Sequence, residues 1–190
     1  MKLFDHFRII APAYDWVFRY DEAMSPRHLL QMPADGWLVD VGGGTGRVAE
    51  TLRDLTPRLI VLDESGGMLR QAKGKRFLAV MAAVEALPFR SETIERFLMV
   101  DAFHHLRDQG KSVLEVLRTL TPSGRLVMQE PDIKHRGVRW IALMEKLLLM
   151  RSRFVPPDAV QRLFTEAGAQ VELLHTKPHF TLIAEKDVIT

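Results

Sequence analysis

The 190-residue chain contains no cysteine. Disulfide bridges and thiolate metal centres are therefore excluded, and a reducing, cytoplasmic setting is the expected location. Long blocks of one charge are also missing. The 26 Lys and Arg and 24 Asp and Glu residues are interspersed and leave a formal net charge of +2. That pattern lacks the footprint of a nucleic-acid partner and suits a small-molecule one. No apolar run is long enough to cross a membrane. The N-terminus carries Asp5, His6 and Arg8 where an export signal needs an apolar core, and the stretch Trp140 to Met150 is interrupted by Glu145 and Lys146. Internal repeats and low-complexity segments are absent too. What is present is 47% hydrophobic composition, sufficient for one domain over 1–190 with a substantial core.

The most informative stretch is Leu38 to Arg47, LVDVGGGTGR. An apolar, β-branched run meets Gly42-Gly43-Gly44-Thr45-Gly46 and passes at once into Arg47-Val48-Ala49-Glu50, which reads as buried strand, tight turn and helix. Glycines let backbone approach a ligand closely, and the following helix offers unpaired N–H groups. The dinucleotide pattern G-x-G-x-x-G, counted from Gly42, requires glycine where Arg47 stands, and the Walker Gly-Lys-Ser/Thr is absent. What remains is acidic-x-G-x-G-x-G, filled by Asp40, Gly42, Gly44 and Gly46. A carboxylate at the loop entrance repels a pyrophosphate and attracts an ammonium. Further on, Arg58 to Leu62 reads as a second strand closed by Asp63, 19 residues beyond Gly44, a position suited to accepting hydrogen bonds from ribose hydroxyls.

The Asp40 to Gly46 motif resembles the first motif of class I S-adenosylmethionine-dependent methyltransferases. The resemblance continues along the chain. Phe4, Asp5, Ala11, Tyr14 and Asp15 match the N-terminal segment of quinone-pathway methyltransferases, Asp63 with Ser65, Met68 and Leu69 matches Asp-x-Ser-x-x-Met-Leu, and Val84 to Phe89 matches a loop ending Leu-Pro-Phe. Glu64 replaces a usually apolar residue and Ala83 replaces an acidic one. His104-His105-Leu106, after a fourth strand Ile94 to Val100, matches a run common in the family, and Glu115 to Gly124 resembles its Glu-x-x-Arg-x-Leu-x-Pro-Gly-Gly helix stop, with Ser123 replacing the first glycine.

The fold implied is α/β, doubly wound and Rossmann-like, with a mostly parallel seven-stranded sheet and an antiparallel C-terminal edge. Residues 1–35 form a helical cover, and 137–168 a helical insertion before the last two strands. The cofactor implied is S-adenosylmethionine, held by Asp40, Gly42, Gly43, Gly44, Gly46, Asp63, Glu64, Met68, Val84, Glu85 and Asp101. Tyr14, Phe103 and Glu130 would line the acceptor side, with His104 or His105 as proton acceptor. A metal site is not expected, because no further ligands stand at a recognisable spacing. Expected elements include a helix from Arg47 to Leu55, a helix from Lys111 to Leu120, a turn at Thr121 to Gly124 before a fifth strand Arg125 to Gln129, a helix from Gly137 to Arg151 serving as lid, core or dimer surface, and strands Val171 to His175 and Phe180 to Ala184. Two other readings use the same residues: an adenosyl-ligand-binding protein without methyl transfer, and an NAD-linked oxidoreductase. The acceptor itself, a quinone precursor or another small metabolite, stays open.

Overall fold

The computed structural model describes residues 25–147 and 152–187, with the side chains of residue 141 and residues 144–147 outside the description. The expected N-terminal helix, with Tyr14, lies outside the described residues. Seven strands form one sheet: β1 Leu38–Val41, β2 Leu59–Asp63, β3 Leu78–Met81, β4 Ile94–Val100, β5 Leu120–Pro131, β6 Ala169–Thr176 and β7 His179–Lys186. Among the described residues five helices accompany them: α1 Arg47–Glu50, α2 Gly66–Gly74, α3 Gln109–Thr119, α4 Arg136–Leu147 and α5 Pro157–Glu166.

The strand order is β3-β2-β1-β4-β5-β7-β6. Strands β3, β2, β1, β4 and β5 pair in parallel, whereas β7 is antiparallel to both β5 and β6. The chain leaves β1 for β2 on one side and returns to β4 on the other, so a crevice opens at the carboxyl ends of β1 and β4, where ligands bind in open α/β sheets. Alternation within the strands divides the core between two faces. Val39, Val41, Phe97, Met99, Leu126, Met128, Phe180 and Leu182 pack on one, and Leu38, Val61, Leu98, Val127 and Ile183 on the other.

Local chemistry sets the element ends. Ser65 caps α2 by accepting from the Met68 N–H at 3.4 Å, and Asp108 caps α3 by accepting from the Lys111 N–H at 2.9 Å. The expected helix from Arg47 to Leu55 is cut short. After Glu50, Thr51 and Leu52 donate three residues back, to Val48 and Ala49, and a 3-10 turn Arg53–Leu55 follows. The fifth strand is longer than the expected Arg125 to Gln129. Leu120 already pairs with Ile94, the Pro-Ser-Gly stretch forms an irregularity with Ser123 at φ +61, and regular pairing resumes at Arg125. Both C-terminal strands extend past their apolar runs, their ends held by Lys186 to Glu92 and Gln170 to Asp187.

Candidate active site

Strand β1 carries Asp40 to the crevice and the glycine loop closes over it. Gly42, Gly44 and Gly46 have φ of +67, +56 and +76, a region side chains rarely tolerate. Gly46 is also sterically required, since a Cβ there would lie 2.8 Å from the Phe77 ring. Gly44 differs: the nearest atom to such a Cβ is the Met68 sulfur at 3.9 Å, an ordinary van der Waals contact, so there only the positive φ demands glycine.

Asp40 is 2% exposed and one carboxylate oxygen, Oδ2, has no hydrogen-bond partner. Burial, and next the Asp63 charge, push its pKa from 3.8 up to about 7, against the Arg47 charge and a hydrogen bond from the Ala49 N–H. A buried carboxylate oxygen left unmatched calls for a donor or cation. Asp63, at the end of β2, accepts from the Gly44 N–H at 3.0 Å and from the Ser65 N–H at 2.7 Å. The loop and the carboxyl end of β2 are thereby tied together, and both acidic side chains stand at the same opening.

A second polar cluster occupies the ends of β4 and β5. Glu130, 3% exposed, accepts from the N–H groups of Ala102 and Phe103 through Oε1, each at 2.7 Å, and its Oε2 lies 2.6 Å from His104 Nδ1. Burial alone would raise the Glu130 pKa, but the His104 charge and hydrogen bond and the two backbone donors outweigh it and hold the carboxyl below its usual value. Asp101 beside it shifts the other way, raised first by burial and then by the Glu130 charge, on a residue with φ +52. His104 stacks on Phe154 at 4.3 Å and 15°. Its carbonyl accepts from the Arg153 N–H at 2.7 Å, and Gln109 Nε2 bridges the Phe103 and Arg153 carbonyls at 3.1 and 3.0 Å. The residues before α5 are thus pinned to the loop after β4.

The remaining expected residues are placed as follows. Glu64 makes a 2.5 Å ion pair with Arg107, which links the turns after β2 and β4 across the opening. One Glu85 oxygen accepts from the N–H groups of Arg107 and Asp108 at 2.9 and 3.1 Å, so that oxygen holds the protein's own backbone. Val84 is a core residue, and Phe103 is 2% exposed in the core, tilted against Phe164 at a centroid distance of 6.3 Å. His105 approaches Ser152 Oγ through Nδ1 at 3.3 Å. Asp40, Gly43, Gly44, Asp63 and Met68 are brought together at the loop; Asp101, His104 and Glu130 are brought together one strand further along. Sequence reasoning missed Arg107, Phe154 and His179. The first two carry no local signal; His179 heads a strand whose period-two pattern was legible, and its buried Nδ1 has no partner. Among the described residues no group of three or more His, Cys, Asp or Glu is placed to hold a metal ion, and no helix is long and apolar enough to cross a membrane.

Comparison with known proteins adds three findings. Residues 39–128 match the family model described as a methyltransferase domain. The chain is 28% identical over 147 residues to a ubiquinone/menaquinone biosynthesis C-methyltransferase of Geobacter sulfurreducens, 68% of this chain and 57% of that protein, and 28% identical over 137 residues to a chloroplastic 2-methyl-6-phytyl-1,4-hydroquinone methyltransferase of Arabidopsis thaliana, 68% of this chain and 39% of that one. The chain therefore spans roughly 40 to 60% of the length of these curated relatives. The fold is that of Haemonchus contortus phosphoethanolamine N-methyltransferase 2, solved with S-adenosyl-L-methionine, at a TM-score of 0.81 and 13% identity over 98% of this chain and 61% of that one.

Proposed function

We propose that the chain, whose residues 39–128 match a methyltransferase domain, is a class I S-adenosylmethionine-dependent enzyme that transfers a methyl group from S-adenosylmethionine to a small-molecule acceptor. When bound, the cofactor supplies a methyl group activated by a sulfonium. The protein's share is binding, orientation and exclusion of water, because displacement at such a carbon needs little covalent help.

The observation that carries this reading is the partnerless oxygen of Asp40 beneath the glycine loop. An ammonium from the methionine portion of the cofactor matches that oxygen in charge and hydrogen bonding. A dinucleotide would present a pyrophosphate to the same carboxylate, which disfavours the oxidoreductase alternative. Asp63 would accept from the ribose hydroxyls. To do so it shares or exchanges its bond from the Gly44 N–H, which couples ribose binding to the loop. Met68 would present its thioether beside Gly44 as an apolar wall. Around the acceptor, Glu130 fixes the ring of His104 by its Nδ1 and fixes the loop bearing it by two backbone N–H groups. A proton-accepting role for His104 or His105 would appear in the pH-rate profile, and profiles unchanged by His→Gln at both positions would dismiss it. The relatives' names favour a quinone-related acceptor methylated on carbon.

Calorimetric titration of the ligand-stripped protein with S-adenosylmethionine, S-adenosylhomocysteine and NAD tests the reading, with Asp63→Ala alongside. The expected result is binding of both adenosyl ligands, at least tenfold weaker in the variant, and none of NAD. Failure of both adenosyl ligands to bind would overturn it.

A further inference from the structure

The cations of this chain are unevenly placed. Residues 134–153 hold six of the 26 Lys and Arg but only one of the 24 Asp and Glu, so the rest of the chain is net negative. Helix α4 lies within that segment, and its start is fixed to the end of the sheet. Asp132 accepts from the Lys134 N–H through Oδ1 at 2.8 Å and from the His135 N–H through its carbonyl at 2.9 Å, while its own N–H donates to the Pro178 carbonyl at 2.9 Å. Among the described side chains of α4 only Val138 is buried, at 3% exposure. At about 100° per residue, Arg136, Leu143 and Trp140 stand about 160°, 140° and 200° around the helix from it. Trp140 is accordingly 69% and Leu143 47% exposed, and Arg136 and the flanking Arg139 are exposed with them. Lys134 is paired with Asp158 at 2.7 Å, but among the described residues neither arginine has an ion-pair partner.

A tryptophan and a leucine on the side of a helix opposite its buried anchor contribute nothing to the core and leave apolar surface in water. Unpaired cations beside them supply what a bilayer interface takes up: the apolar side chains enter the acyl boundary, the indole sits at headgroup depth, and the guanidinium groups reach lipid phosphates. The charges favour an anionic bilayer over a second copy of this chain, since two copies joined through this face would set Arg136 and Arg139 against their own kind. Single-stranded nucleic acid would match the cations and the indole, but Leu143 offers no ring on which a base could stack. Cations alone do not make such a surface. Helix α2 exposes Arg70 and Lys73, with no acidic residue from 70 to 76, yet it exposes no large apolar side chain of its own.

We propose that the outward face of α4, with Arg136, Arg139, Trp140 and Leu143, is a docking surface for an anionic lipid bilayer, in which the helix lies along the headgroup region with Trp140 and Leu143 inserted. This goes beyond the methyl-transfer reading and does not depend on it. The full chain is mixed with vesicles of phosphatidylcholine alone and with vesicles of three parts phosphatidylcholine to one part phosphatidylglycerol, and the bound fraction is read by flotation. The expected result at about 0.15 M salt is partitioning at least tenfold stronger onto the anionic vesicles, weakened at least fivefold at about 0.5 M, where the screening length is roughly halved. Trp140→Ser lowers that partitioning at least tenfold, and so does Arg136→Glu combined with Arg139→Glu. Two controls stay within about twofold of the parent: Leu114→Ser, at a leucine 59% exposed on α3, and Arg70→Glu combined with Lys73→Glu on α2, which changes the net charge as much as the α4 pair does. All four proteins should unfold at the parent's thermal midpoint, because every changed side chain is exposed. Equal binding to both kinds of vesicle, binding to neither, or equal losses from the α2 and α4 charge reversals would each overturn the proposal. So would a dimer that Trp140→Ser dissociates, or a single-stranded RNA oligomer that the chain binds through Trp140, in a protein that does not float with the anionic vesicles.

Discussion

Replacing Asp40 by Asn should make the unliganded protein more stable at pH 8 and weaken its hold on a cationic ligand. The folded-state pKa is about 7 against an ordinary 3.8, a rise caused first by burial. The sign follows from proton binding. Below pH 3.8 the carboxyl is protonated in both states and contributes nothing. Between 3.8 and about 7 the folded state keeps a proton that the unfolded state has lost, so stability falls as pH rises, by about 1.4 kcal/mol per pH unit. Above about 7 the full cost of a buried charge is present, about 4 kcal/mol at most. Asn removes that cost but buries an unmatched amide N–H where Oδ2 lies, which returns about 1–3 kcal/mol. The net expectation at pH 8 is a gain of about 2 kcal/mol. The gap between variant and parent should grow by about 2–3 kcal/mol from pH 5 to pH 8. Urea unfolding of both proteins at the two pH values measures that double difference, in which titrating groups not coupled to Asp40 cancel. The same variant should bind S-adenosylmethionine at least tenfold more weakly at pH 8. A stability gap that does not change with pH would refute the assignment of a strained, ionisable carboxyl to Asp40.

Three further perturbations follow from the geometry. Glu130→Gln removes the ionised acceptor from both sets of partners and leaves a single amide oxygen, so either the Ala102 and Phe103 N–H groups or His104 faces the amide NH2 in a buried place, which should cost about 2–4 kcal/mol in urea unfolding at pH 7; a cost under about 0.5 kcal/mol would show that the cluster does not hold the loop. Gly46→Ala combines φ +76 with a Cβ only 2.8 Å from Phe77, so it should destabilise by about 1–3 kcal/mol and weaken S-adenosylhomocysteine binding, as read by thermal shift with and without ligand. Arg107→Ala removes the ion pair to Glu64, whose side chains are 57% and 42% exposed, and should change stability by no more than about 0.5 kcal/mol at 0.15 M salt; a larger loss would mean that this bridge across the opening is structural.

How legible these features were depends on the distance in sequence over which they are written. The glycine loop could be read because its causes are adjacent: strand, positive-φ residues and helix start lie within ten positions. Asp63 could be read because a strand-helix-strand unit fixes the spacing to its partner loop, and the structure joins the two through the Gly44 N–H. Strand β4 was bounded correctly from its apolar run alone. The α1 segment was not, because Leu52 and Leu55 have helical spacing while Thr51 and Asp54 favour tighter local hydrogen bonds. Nor did the sequence signal that Glu130 would hold backbone and imidazole 26 to 28 positions earlier, or that Glu85 would take up the N–H groups of Arg107 and Asp108. Those contacts depend on which strand ends meet, and no periodic pattern records a carboxylate's partner.

Asp40 and Glu130 are both buried carboxylates at the same edge of one sheet, and their pKa values move in opposite directions. Depth therefore does not distinguish them; partners do. Glu130 has two backbone donors and an imidazole, and its charge is balanced within the fold. Asp40 has one backbone donor, the Arg47 charge, an opposing neighbouring carboxylate and a buried oxygen with no hydrogen-bond partner. A fold selected only for stability would replace such a group with an amide or an apolar side chain at a gain of some kcal/mol. Its retention beneath the glycine loop makes sense if its partner arrives from solution. The same reasoning separates His179, whose Nδ1 is unmatched, from His104, whose Nδ1 is held. On the proposed reading the unmatched oxygen of Asp40 is where a ligand binds, and the fully satisfied Glu130 holds the neighbouring loop in position.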